Sequence, residues 1–169
     1  MKNITFFLVG LALVIIGVSS YFYFHKTDTD HIEEIHFHAG FQVYIDDIKE
    51  DFSNFKYMKI QPCGDAHEES DQLEKAHLHD GVGDVVHAHR EGGTWGDLFQ
   101  NINYPISNDI IGYVNGQLSP QILTMPIVPN SSVVFFVGKN SDVEKKVEGR
   151  VTQDHIKQVE GKSENCGTK

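Results

Sequence analysis

The chain has 169 residues, with 14 Lys+Arg against 24 Asp+Glu, a formal net charge of -10, and only 5 Pro and 2 Cys. That length allows one modest domain, 40% hydrophobic and 22% charged content excludes a wholly disordered chain, and the acidic balance argues against nucleic acid as a main partner. Histidine is over-supplied, with 10 in a chain that has one Trp and three Met.

The first element predicted is a membrane span. From Ile4 to Phe24 no residue is charged, and at about 1.5 Å per residue such a run crosses a bilayer core of about 30 Å. A cleaved signal peptide is the competing reading. The run is long for one, however, and ends in Tyr21, Phe22, Tyr23 and Phe24 instead of a small-x-small cleavage site. Lys2 precedes the span, whereas Asp28, Asp30, Glu33 and Glu34 outweigh Lys26 after it. The positive-inside rule then predicts a cytoplasmic amino terminus and a body outside the cytoplasm. Residues 1–25 are read as the anchor and 26–34 as a juxtamembrane linker.

Beyond the linker, alternation is the main signal. In IHFHAGFQVYI the odd positions Ile35, Phe37, Ala39, Phe41, Val43 and Ile45 are apolar, and the even ones include His36, His38, Gln42 and Tyr44. A period of two marks a strand with one buried face, and Asp46-Asp47 starts a turn. In PCGDAHEES, Cys63 four residues before His67 is a candidate soft ligand pair. With only Cys63 and Cys166 in the chain, a disulfide tethering the tail is an equal alternative outside the cytoplasm, and two unrelated thiols are a third.

The block AHLHDGVGDVVHAHR puts Ala76, Leu78, Val86 and Ala88 on one parity and His77, His79, His87 and His89 on the other. It predicts a hairpin turning through residues 80–84. An odd-length turn centred on Gly83 pairs His79 with His87 and His77 with His89, placing all four imidazoles on one side. An even turn leaves apolar residues on both faces, so the core pattern itself selects the four-histidine register.

Thr94 is a predicted helix cap with Asp97 three residues on, and Trp95, Leu98, Phe99 and Ile102 make one apolar stripe. IIGYVNGQ reads as a strand entering a tight Asn115-Gly116 turn, and SVVFFVG as a buried strand after a turn at Pro129-Asn130-Ser131. The tail, residues 139–169, holds seven basic and six acidic residues, so the acidity sits before it. Its Val143, Val147, Val151 and Ile156 are spaced for a marginal helix or a mobile extension, with nothing bulky enough to make a core.

The stretch Thr94–Gly138, with TWGDLFQNI, YVNGQ and SSVVFFVG, resembles the second half of the ubiquitin-like β-grasp fold of small sulfur-carrier proteins. Those carriers end in a free Gly-Gly, whereas Gly138 runs on into a charged tail, so the resemblance implies the fold and not sulfur transfer. The histidine-rich half is also similar to membrane-anchored microbial proteins with paired His-x-His segments. The expected class is α+β: an anchor, a β-grasp-like domain over 35–138 with a mixed sheet and one packed helix, and the charged tail. In such a domain the helix covers one face and sends the histidine parities to the open one.

Two imidazoles two residues apart on a strand are separated by about 6.8 Å and can lean toward one ion. Neutral imidazole suits zinc, copper, iron and nickel, of which zinc and copper are the expected ions. His77, His79, His87 and His89, joined by His36 and His38 if the first strand pairs near the hairpin, are the candidate ligands, with Asp80, Asp84 and Glu91 as acidic neighbours able to hold ring tautomers. The lone His25, His31 and His155 lack paired spacing. The functional expectation is a membrane-anchored, extracytoplasmic module for capture, delivery or sensing of Zn or Cu, its partners being the bilayer, the ion and possible membrane proteins. The alternatives are a His-ligated metalloenzyme with a carboxylate base, a structural partner of a membrane complex, and a pH-responsive histidine surface. No His-Glu-x-x-His, Ser-centred elbow or phosphate-binding glycine loop occurs, which favours binding over catalysis.

Overall fold

A computed structural model describes residues 35–58 and 71–161. Among the described residues no helix is long and apolar enough to cross a membrane. The apolar run from Ile4 to Phe24 lies outside them.

The architecture is α+β. Six strands, β1 (Phe37–Ile45), β2 (Ile48–Lys49), β3 (Val85–Ala88), β4 (Ile111–Val114), β5 (Gln117–Ser119) and β6 (Ser132–Val137), form one mixed sheet. Its order is β2-β1-β6-β4-β5, with β3 also on β1. Strands β1 and β6 are parallel, and every other pair is antiparallel. Along its free edge β1 is shared: its first half pairs with β3 and its end with β2. The hairpin turns follow their residues. Asp46 and Asp47 adopt left-handed φ of 47° and 70°, and Asn115-Gly116 adopts 50° and 92°, the backbone that two-residue turns require.

One face of the sheet builds the main core. Ala39, Phe41 and Val43 of β1, with Val133 and Phe135 of β6, meet Trp95, Leu98 and Phe99 of helix α2 (Trp95–Asn101) and the following Ile102. Helix α2 starts on the expected capping box: Thr94 Oγ1 accepts from the Asp97 N–H, and the Asp97 carboxylate accepts from the Thr94 N–H. Short helix α1 (Asp71–Lys75) lies against α2.

The other face is not open, contrary to the expectation from a single packed helix. Tail helices α3 (Val143–Glu148) and α4 (Gln153–Glu160) cover much of it. Val151, Ile156 and Val159 bury against Val85 of β3, and Val147 buries against Val134 and Phe136 of β6. The tail therefore supplies a core of its own. Bulk is unnecessary because β1 presents Gly40 beneath α4: a Cβ there would sit 2.6 Å from Val151 Cβ and 3.3 Å from Ile156 Cδ1. A glycine inside a strand marks this kind of close approach.

The histidine hairpin also differs in register. His77 stands opposite His87, each N–H donating to the other's carbonyl at 2.9 Å, so neither of the expected pairs, His79 with His87 and His77 with His89, is formed. Asp80 and Gly81, at φ of 59° and 72°, make the tight turn, closed by Val82 N–H to His79 O. Gly83 serves packing instead, since a Cβ there would collide with the backbone of Phe52 and Ser53. The slip is two residues, so parity survives and the imidazoles keep one face.

Candidate metal centre

Three neighbouring segments deliver six imidazoles to one end of the sheet's second face. His38 of β1 lies directly opposite His87 of β3, because Phe37 pairs with Ala88 and Gly40 with Val85. Their ring centroids are 3.9 Å apart, edge to face. One step toward the amino terminus, His36 lies 4.7 Å from His38 and 4.6 Å from His89, centroid to centroid. His77, from the segment beyond β3, lies 5.3 Å from His89 and 6.0 Å from His87. His79 closes on His87 at 3.5 Å. The sequence expectation that β1 brings His36 and His38 to the other four is met.

Within this group His36, His38 and His87 each offer a ring nitrogen such that all three atoms lie within 4.8 Å of one another. The three could hold a metal ion. Both nitrogens of His38, and Nε2 of His87, are buried with no hydrogen-bond partner among the described residues. Buried polar atoms left unsatisfied are uncommon and call for an explanation such as an ion. His38, His77, His79 and His87 are 3%, 2%, 6% and 2% exposed, so the site is an interior one, and the expectation of a solvent-facing histidine surface is corrected.

Burial also fixes charge. The His38 imidazole is pushed down to about 4, first by loss of solvent and then by the neighbouring rings of His36, His79 and His89. His87 is held well below the ordinary imidazole range by the same causes, burial foremost and His79 and His38 next. Both rings are therefore neutral at physiological pH, the state in which imidazole ligates metals.

The remaining candidates take other places. His79 Nε2 is 2.7 Å from His87 Nδ1, and His79 Nδ1 is 2.7 Å from Asp80 Oδ2. His77 Nδ1 donates to the Leu73 carbonyl at 3.0 Å. That carbonyl belongs to α1, whose end is fixed by α2: Asn101 Nδ2 donates to both Gln72 O and Ala76 O at 2.7 Å. Leu73 is the contributor that sequence reading misses, because a backbone carbonyl carries no residue signal. Of the acidic candidates, Asp80 is engaged by His79, Asp84 by His155 of α4 at 3.1 Å, and Glu91 is exposed. His155 stands apart from the imidazole group, as its lone spacing implied. Cys63, His67, Cys166, His25 and His31 lie outside the described residues.

In comparisons with protein-family models, curated proteins and solved structures, nothing matches this chain.

Proposed function

We propose that the chain is a membrane-anchored metal-binding protein whose β-grasp-like domain lies outside the cytoplasm and holds Zn or Cu on His36, His38 and His87. The observation carrying this is the pair of buried, directly opposed imidazoles of His38 and His87, with both His38 ring nitrogens and His87 Nε2 unpartnered among the described residues and His36 within reach of the same point. A site made wholly of imidazole nitrogen suits zinc or copper better than the oxygen-seeking magnesium or calcium. The β-grasp reading draws support from a parallel central pair, β1 and β6, flanked by antiparallel strands and crossed by one capped helix. The anchor and its orientation are supported by the uncharged run Ile4–Phe24 and the acidic residues after it. Binding is favoured over catalysis because Asp80 and Asp84 are already engaged by histidines and Glu91 sits on an exposed turn.

Titration of the metal-stripped protein with Zn(II), Cu(II) and Mg(II), followed calorimetrically with elemental analysis of the product, tests the reading. It expects one tightly held transition-metal ion, indifference to Mg(II), and a loss of at least about a hundredfold in affinity for His38→Ala. Equal affinity of the wild type and His38→Ala would remove the site.

A further inference from the structure

Sequence pattern alone ranks His79 with the ligands. The geometry points to a different role: His79, braced by Asp80, is a positioning residue that holds the His87 ring in the tautomer and orientation that present Nε2 to the ion. This rests on the metal-binding reading above and assigns separate tasks to residues of that site.

Which atoms can donate decides the roles. A carboxylate only accepts, so the 2.7 Å contact between Asp80 Oδ2 and His79 Nδ1 places a proton on that nitrogen. When that is the ring's single proton, His79 Nε2 carries the lone pair. The buried 2.7 Å contact from His79 Nε2 to His87 Nδ1 must consequently be donated by His87. His87 Nε2 is left with the lone pair, and that is the atom without a partner among the described residues. Each step excludes the opposite tautomer of the next ring. His79 cannot ligate through either nitrogen without giving up one of these two bonds.

The same logic recurs at His77. Its Nδ1 donates to the Leu73 carbonyl, so a neutral ring keeps its lone pair on Nε2. Metal-bound histidines ordinarily give their other N–H to a carboxylate or carbonyl, which raises ligand basicity and fixes the ring. His87 differs in reaching its carboxylate through a second imidazole. The Asp80 side chain is about half exposed, so the arm runs from the surface to the interior site.

The test uses Co(II), whose visible bands report ligand number and geometry, on the full chain and on His79→Gln, His79→Leu, Asp80→Ala and His38→Ala. Gln can accept from His87 Nδ1 and Leu cannot. The expected result is one Co(II) in each His79 and Asp80 variant with wild-type band positions and intensities. Affinity should fall about ten- to a hundredfold in His79→Leu, less in Asp80→Ala, and recover in His79→Gln. His38→Ala should alter the bands themselves. If His79→Leu changes the bands as His38→Ala does, His79 is a ligand and the inference is overturned; unchanged affinity in His79→Leu overturns it as well. Should His79→Leu not fold, Asp80→Ala and His79→Gln carry the same comparison. A wild-type protein that takes up no Co(II) or Zn(II) instead defeats the metal-binding reading itself.

Discussion

His38 couples the site to stability through protons. Its folded pKa, lowered to about 4, lies below the value of about 6.5 for a free imidazole. Between the two the unfolded chain binds a proton that the folded one does not, so acidification favours unfolding. The contribution of a neutral His38 is complete above pH 6.5, declines as pH falls, and is gone below about 4, a total of roughly 3 kcal/mol. Urea unfolding of metal-free protein across that range should show the midpoint dropping, and His38→Gln should flatten the drop; parallel curves for the two proteins would refute the assignment. Gly40 offers a second single-residue test. Its missing side chain leaves room for Val151 and Ile156, so Gly40→Ala should destabilise by about 1–3 kcal/mol through overpacking. Thermal unfolding of that variant, compared with Gly40→Ala/Val151→Ala, checks the cause, because trimming Val151 should return part of the loss.

Helix α2 shows how local and tertiary signals agree. Its cap, apolar stripe and buried face are all legible in TWGDLFQNI, and Thr94→Ala should cost about 1 kcal/mol in chemical unfolding by removing the acceptor for the Asp97 N–H. Because Asn101 of the same helix holds the carbonyls of Gln72 and Ala76, α2 also steadies the segment that leads into His77. The Asn115-Gly116 turn and the alternation of β1 are equally readable, since turn geometry and pleat are written in adjacent residues. The hairpin register is not. Parity confines the histidines to one face whether the turn centres on Gly83 or two residues are slipped, and the close approach of Gly83 to the backbone of Phe52 and Ser53, from a distant segment, is a tertiary contact that local pattern does not contain. Parity likewise cannot separate the candidate ligand His87 from the proposed brace His79, because both stand on the same side of the sheet.

The tail is the part of the molecule least legible in the sequence. Val147, Val151, Ile156 and Val159 are small and scattered among charges, and their burial depends on a complementary surface that includes Gly40, more than a hundred positions earlier. The one local hint is that glycine on the polar parity of a strand. Each of these aliphatic side chains contributes about 1.5–3 kcal/mol when buried, against a total of about 5–15 kcal/mol for a whole domain. A chain ending at Gly138 should therefore lose the cooperative thermal unfolding of the full chain and bind a hydrophobic dye that the full chain does not. A sharp transition in the shorter chain would show the tail to be dispensable. The parallel pairing of β1 with β6 carries a further consequence for synthesis. A growing polypeptide emerging from the ribosome has all six clustered imidazoles in hand well before the strand that completes the sheet is made. During that interval β1 has a bare edge and its histidines are unsheltered, open to mispairing with other nascent chains and to premature chelation.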